Sequence, residues 1–207
     1  MKRRKTTPTG RTNPRILILC DGLTEKNYFT AIKQDPDYKR ALAALSVDIM
    51  EAKKSEPLQI VEEAIKKQRR ARQERNEYNH VWVVFDHDNR PSLMEAYRLA
   101  GANGICIAFS SIAYEYWYLL HFKQTAKVYP TAEPLIKELE KHIANYRKGC
   151  QNDFLILKDK LPNAQQNATW LRAQMQQHLE EGKHLTDLNP FTDVDELVAF
   201  LLAVSSR

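Results

Sequence analysis

Short apolar runs alternate with amphipathic segments over the first 110 residues. The runs predict four β-strands, at 15–20, 46–50, 80–86 and 105–109. Between them, apolar residues recur at helical spacing, most clearly in the long segment that Glu56-Pro57 opens. Strands that alternate with helices predict a mainly parallel sheet with helices on both faces.

The pattern after residue 110 is helical. It predicts helices over 113–122, 133–147, 164–179 and 193–204. The last one is expected to start at 189–193, with Thr192 or Asp193 as its N-cap. We therefore expect an α/β core over 15–122 and a helical extension over 123–207 that packs against the core. Residues 1–14, rich in charged residues and prolines, are expected to form a flexible basic leader.

Composition indicates where the protein is located more than what it does. The chain has 207 residues, and no apolar run approaches the length that a membrane span needs. Its three cysteines have no CxxC spacing, so neither a disulfide framework nor a zinc site is indicated. The basic N-terminus lacks the apolar stretch of a signal peptide, and we expect a cytoplasmic protein.

The net charge of +5 conceals a strong local cluster of basic residues. They crowd one predicted helix, at Lys66, Lys67, Arg69, Arg70, Arg72 and Arg75. Such a cluster favours contact with the phosphates of DNA or RNA. The alternative is a solvated helix face without a ligand.

Two carboxylates follow the apolar run at 81–85. If the strand persists, the side chains of Asp86 and Asp88 point the same way. Mg²⁺ takes oxygen ligands and keeps several waters, so two carboxylates and a substrate phosphate are enough to hold it. Acids also end strands as turn residues, so this pair alone leaves a structural role open. Arg90 is expected either to bind phosphate or to neutralise these acids.

A second acidic segment follows the first predicted strand, where ligands bind in parallel sheets. Asp21 suits a metal ligand or a proton acceptor, and Gly22 lets the backbone approach a phosphate or metal. Thr24 is the expected N-cap of a helix starting near Glu25. Glu25 either adds a ligand or favours the first helical turn through the helix dipole.

Four ordered motifs resemble the RloB-like family. They lie at 18–25 with Tyr28-Phe29, at 84–88, at 111–122 and at 189–192. The resemblance spans roughly 15–202, and the motifs are specific only in combination. It implies a Toprim-like fold, as in topoisomerases, primases and OLD-type nucleases. It also implies an association with restriction and abortive-infection loci, that is, with antiphage defence.

The resemblance assigns roles to individual acids. It implies that Asp86 and Asp88 hold Mg²⁺ or Mn²⁺. The Toprim glutamate that transfers protons falls on Asp21, which is one methylene shorter. A metal-binding role survives that change more easily than a precisely placed proton transfer. Glu115 matches an acid that completes a second metal position, although it also suits a helix start.

The residues and the resemblance together predict a Toprim-like α/β core with a four-stranded, mainly parallel sheet. The expected function is Mg²⁺-dependent cleavage of nucleic acid in antiphage defence, alongside a partner ATPase or another restriction-locus protein. One alternative is a non-catalytic subunit that binds nucleic acid or a partner. Another is a phosphatase or nucleotidyl-transferring enzyme that acts on small phosphate compounds.

Overall fold

The structure is a computed structural model that describes residues 13–87 and 92–204. Asp88, Arg90 and nearly all of the predicted leader lie outside these ranges. No helix in the described ranges combines the length and the apolar character needed to cross a bilayer.

The elements alternate between strand and helix up to residue 111 and are mostly helical afterwards. In chain order they are β1 (Arg15–Cys20), α1 (Leu23–Gln34), α2 (Pro36–Leu42), β2 (Ser46–Glu51), α3 (Pro57–Gln73), β3 (His80–Asp86), α4 (Leu93–Ala102), β4 (Cys106–Ser111), α5 (Glu115–Leu120), α6 (Ala132–Leu139), α7 (Asp153–Leu157), α8 (Leu161–Glu180), β5 (Phe191–Thr192) and α9 (Val194–Val204). Short 3₁₀ turns lie at Lys158–Lys160 and Leu185–Asp187.

Within the described ranges, the sheet has five strands in the order β2-β1-β3-β4-β5. The first four pair in parallel, and β5 runs antiparallel to β4. The prediction of four strands is therefore wrong by one, although the sheet is mainly parallel as expected. With only two residues, β5 is too short to show the alternation that marks a strand in sequence.

Several local predictions need correction at the level of single turns. Gly22, and not Thr24, occupies the N-cap position of α1, and the Thr24 hydroxyl accepts a hydrogen bond from the Gly149 N–H. Helix α2 was not predicted, and the Asp35 side chain caps it by accepting from the Asp37 N–H at 2.9 Å. The helix expected over 133–147 ends at residue 139.

Both faces of the sheet are buried. Along β1, Ile16 and Ile18 face one layer while Leu17 and Leu19 face the other, and all four are fully buried. Helices α3 and α4 cover the face with Leu17, whereas α1, α2 and α5 to α9 contribute to the opposite layer. Burying each such aliphatic side chain stabilises the fold by about 1.5–3 kcal/mol.

The strand order reverses between β1 and β3. The chain leaves β1 towards β2 on one side and leaves β3 towards β4 on the other. In open α/β sheets, such a reversal creates a crevice at the carboxyl ends of the two neighbouring strands. Asp21 follows β1 and Asp86 ends β3, so both acids belong to this crevice.

Candidate functional site

An acidic cavity of about 460 Å³ lies at the crevice between β1 and β3. Its charged lining residues are Asp21, Glu25, Glu51, Asp86 and Lys148. The structure thus brings together three acids that the sequence predicts as site residues. It adds Glu51, at the end of β2, and Lys148, which comes from the loop between α6 and α7.

Backbone hydrogen bonds fix the two central acids relative to each other. The Asp21 N–H donates to the carbonyl of Val84 at 2.8 Å, continuing the pairing of β1 with β3 beyond the end of β1. Asp86 accepts from the Tyr114 N–H at 3.4 Å, which ties it to the start of α5. These hydrogen bonds place both residues at the same edge of the sheet.

Glu25 lies in the first turn of α1 and is 5% exposed. Burial, followed by the charge of Asp86, raises the pKa of Glu25 to about 8. A Cβ at Gly22 would lie only 3.3 Å from the Glu25 carboxylate, so glycine leaves room for it. The carboxyl group of Glu25 therefore lies in the cavity beside other acids, as well as in the first turn of α1.

Glu115 begins α5 and is 1% exposed. The Tyr146 hydroxyl donates to one carboxylate oxygen at 2.8 Å, and the Lys148 ammonium lies 3.4 Å from the other. The charge of Glu115 contributes to the raised pKa of Glu25, so the two carboxyl groups are electrostatically coupled. Glu115 is therefore not among the cavity-lining residues, but it contacts Lys148, which is.

Lys148, like Glu51, is a cavity-lining residue that the sequence did not predict. Burial lowers the pKa of Lys148, but the charges of Glu115 and Asp86 outweigh this and raise it. Its neighbour Gly149 is anchored to α1, because Asn27 donates to the Gly149 carbonyl at 2.8 Å. In the sequence, the available signal is the glycine that follows the predicted helix end at residue 147. In the structure, this Gly149 has a φ of +74° and forms a turn.

The described carboxylates suit a divalent cation, although they do not form a closed cage. Within 13–87 and 92–204, no three Asp, Glu, His or Cys side chains are grouped as metal ligands. Mg²⁺ needs only one or two carboxylates, with waters and substrate phosphates in the remaining positions. The mutual repulsion of Glu25, Asp86 and Asp21 is what such a cation would relieve. The residues therefore fit Mg²⁺ or Mn²⁺, which keep bound waters, better than a metal ion that is held by protein ligands alone.

The basic residues of α3 lie outside this acidic cavity. Lys66, Lys67 and Arg70 line a separate groove with Lys53 and Lys54. Arg69, which was predicted with them, is exposed on α3 but is not among the groove-lining residues.

Fold and site together define an α/β protein with an acidic cleft at the reversal point of a mixed, mostly parallel sheet. A family model described as RloB-like protein matches residues 16–201. The chain therefore belongs to the RloB-like family, as the four sequence motifs indicated. Neither the curated proteins nor the solved structures contain a match to it.

Proposed function

We propose that this protein is a Mg²⁺- or Mn²⁺-dependent nuclease that hydrolyses phosphodiester bonds in DNA or RNA. The observation that carries the proposal is the convergence of Asp21, Glu25 and Asp86 on one cavity together with Lys148. Carboxylates that hold a divalent cation, next to an ammonium group that faces a phosphate, form a typical phosphoryl-transfer arrangement. The Toprim-like fold that the family resemblance implies would serve the same chemistry.

Asp21 and Asp86 are the proposed cation ligands, joined by Asp88, which lies outside the described residues. When bound, the cation would activate water and offset charge on the phosphate. Glu115 contributes indirectly, because its carboxylate holds the Lys148 ammonium in place. Lys148 would then neutralise one non-bridging phosphate oxygen as negative charge develops there.

Glu25 is the proposed general acid or base. A pKa near 8 lies close to neutral pH, where a carboxyl group can both release and accept a proton efficiently. Glu25 lies four residues after Asp21, in the first turn of α1. It can therefore take over the proton transfer for which the shorter Asp21 side chain is poorly suited.

The biological setting of the proposed nuclease is antiphage defence, linked to restriction or abortive infection. This part of the proposal is supported by membership of the RloB-like family and by the family resemblance described above. A partner ATPase or another protein of the same locus would control when cleavage occurs.

The decisive experiment incubates the protein with Mn²⁺ and labelled DNA, RNA and tRNA. We expect cleavage of at least one substrate, inhibition by EDTA, and a loss of about 10²-fold or more in rate for Asp86→Asn. Glu140→Gln, which removes an exposed carboxylate that does not line the cavity, is the matched control and should retain full activity. Absence of cleavage in every arm, or full activity of Asp86→Asn, would contradict the proposal.

A non-catalytic nucleic-acid- or partner-binding subunit is the second candidate. The observation that favours it is the lack of a three-residue ligand group in the described ranges. It predicts that calorimetric titration detects no Mg²⁺ or Mn²⁺ binding, while DNA or RNA still binds in a salt-sensitive manner. The nuclease predicts metal binding that Asp86→Asn weakens.

A further inference from the structure

A basic groove of about 510 Å³ runs along α3 on the side of the sheet opposite α1. Its lining residues are charged or carry an amide, and none is aromatic: Lys53, Lys54, Gln59, Glu62, Glu63, Lys66, Lys67 and Arg70. Five cations face two carboxylates, so the groove is positively charged although the neighbouring cavity is acidic.

Three of these cations are available to a ligand. Lys53, Lys54 and Lys66 are exposed, and their ammonium groups form no ion pair within the described part of the chain. By contrast, Lys67 lies 3.4 Å from Glu63, and Arg70 is paired with a glutamate one turn further along α3. The groove therefore contains free ammonium groups and cations that are partly neutralised.

The groove and the acidic cavity are joined by one short loop. Glu51 and Ser55 line the cavity, whereas Lys53 and Lys54, which lie between them, line the groove. The Lys53 N–H donates to the Glu63 carboxylate at 2.9 Å, which fastens this loop to α3. Two residues span at most about 7 Å, so the cavity and the groove are adjacent. A polynucleotide strand that extends out of the cavity on this side would therefore enter the groove directly.

We propose that this groove holds the phosphate backbone of the polynucleotide strand that is cut in the acidic cavity, an inference that rests on the proposed nuclease function. From Gln59 to Arg70 the helix rises about 16 Å, which corresponds to about five nucleotides at 3.4 Å each. Its cations can contact phosphates, whereas its described lining residues include no aromatic side chain that could stack on bases, so the groove binds without regard to sequence.

The test compares two double variants that remove equal charge. Lys54→Gln/Lys66→Gln alters the groove, while Lys39→Gln/Arg40→Gln removes exposed cations from α2 on the opposite face of the sheet. Binding of a labelled single strand of about 20 nucleotides is followed by fluorescence anisotropy in EDTA over a range of NaCl concentrations. We expect the groove variant to bind about tenfold more weakly, with a salt slope reduced by about 1.4, and the α2 variant to bind like the parent.

Substrate length separates the groove from the cavity. A labelled trinucleotide, which is too short to contact the whole length of the groove, should distinguish the two double variants by less than the 20-mer does. Equal binding of the 20-mer by the two double variants would overturn the groove assignment, even if Mn²⁺-dependent cleavage persists. Absence of cleavage combined with groove-dependent binding would instead overturn the nuclease and keep the groove. Tighter binding of inorganic polyphosphate than of any polynucleotide would overturn the assignment of the ligand.

Discussion

Glu25 shows how strongly the surroundings of one residue alter its chemistry. In the sequence it is an ordinary acid in a first helical turn, where a negative charge is favourable. In the structure it is buried among other acids, and its pKa rises from 4.5 to about 8. Because the folded state binds this proton more tightly than the unfolded state, the contribution of Glu25 to stability is fully present below pH 4.5 and is lost as the pH rises through about 8.

Replacing this acid by its neutral amide should remove that pH dependence. In EDTA, Glu25→Gln should match the parent near pH 5 and exceed its free energy of unfolding above pH 8, by at most about 5 kcal/mol. Urea unfolding at pH 5, 7 and 8.5 measures the difference, and Glu140→Gln is the control. A difference of the same size at every pH would contradict the assigned pKa.

Lys148 is a second residue whose role depends on its surroundings. Replacing it with glutamine should slow cleavage by about 10²-fold, because an ammonium group near the developing phosphate charge is lost. Mn²⁺ binding should persist, since no proposed cation ligand is removed. Single-turnover cleavage and calorimetry measure the two effects. Arg147→Gln, which removes the exposed neighbouring cation, is the matched control, and equal rates for both variants would exclude Lys148 from the reaction.

At the scale of elements, a single arginine ties the fifth strand to the helices around it. Arg172 of α8 donates to the Thr192 carbonyl of β5 at 3.0 Å and forms a two-pronged ion pair with Asp195 of α9. Asp195 is 5% exposed, so Arg172 pairs with a carboxylate that has little contact with water. This contact holds an otherwise very short strand at the edge of the sheet.

Arg172→Ala should lower the free energy of unfolding by about 3–5 kcal/mol, because it leaves a buried carboxylate unpaired. Arg172→Lys should recover part of the loss, since it keeps the charge without the planar two-pronged geometry. Urea unfolding measures both variants. Lys137→Ala, which breaks an exposed pair with Glu133, is the control and should change stability by less than about 1 kcal/mol. A loss that small for Arg172→Ala would show that β5 is held by packing alone.

At the scale of the whole molecule, strand order explains why distant acids meet. The loops after β1 and β3 are more than 60 residues apart in the chain, yet the two strands are neighbours in the sheet. Apolar runs predicted both strands, and their final residues placed Asp21 and Asp86 at strand ends. That β1 and β3 lie side by side follows from pairing between strands, which no local pattern encodes.

Longer-range contacts also decide the features that the sequence did not predict. Strand β5 forms because residues 191–192 pair with the edge strand β4, which lies some 80 residues earlier in the chain. Lys148 reaches the cavity because Gly149 is hydrogen-bonded to Thr24 and Asn27, more than 120 residues away. A two-residue strand and a single loop lysine carry no periodic signal, and Gly149 by itself indicates a turn without indicating what that turn contacts.

The sequence by itself determined four strands, most of the helices, the acids at the strand ends and the family, because these depend on local periodicity and on short motifs. Only the tertiary structure decided the order of the strands, the fifth strand, the buried state of Glu25 and the separation of the basic groove from the acidic cavity. These depend on which distant residues are packed together, and burial and neighbouring charges then set the chemistry of each side chain.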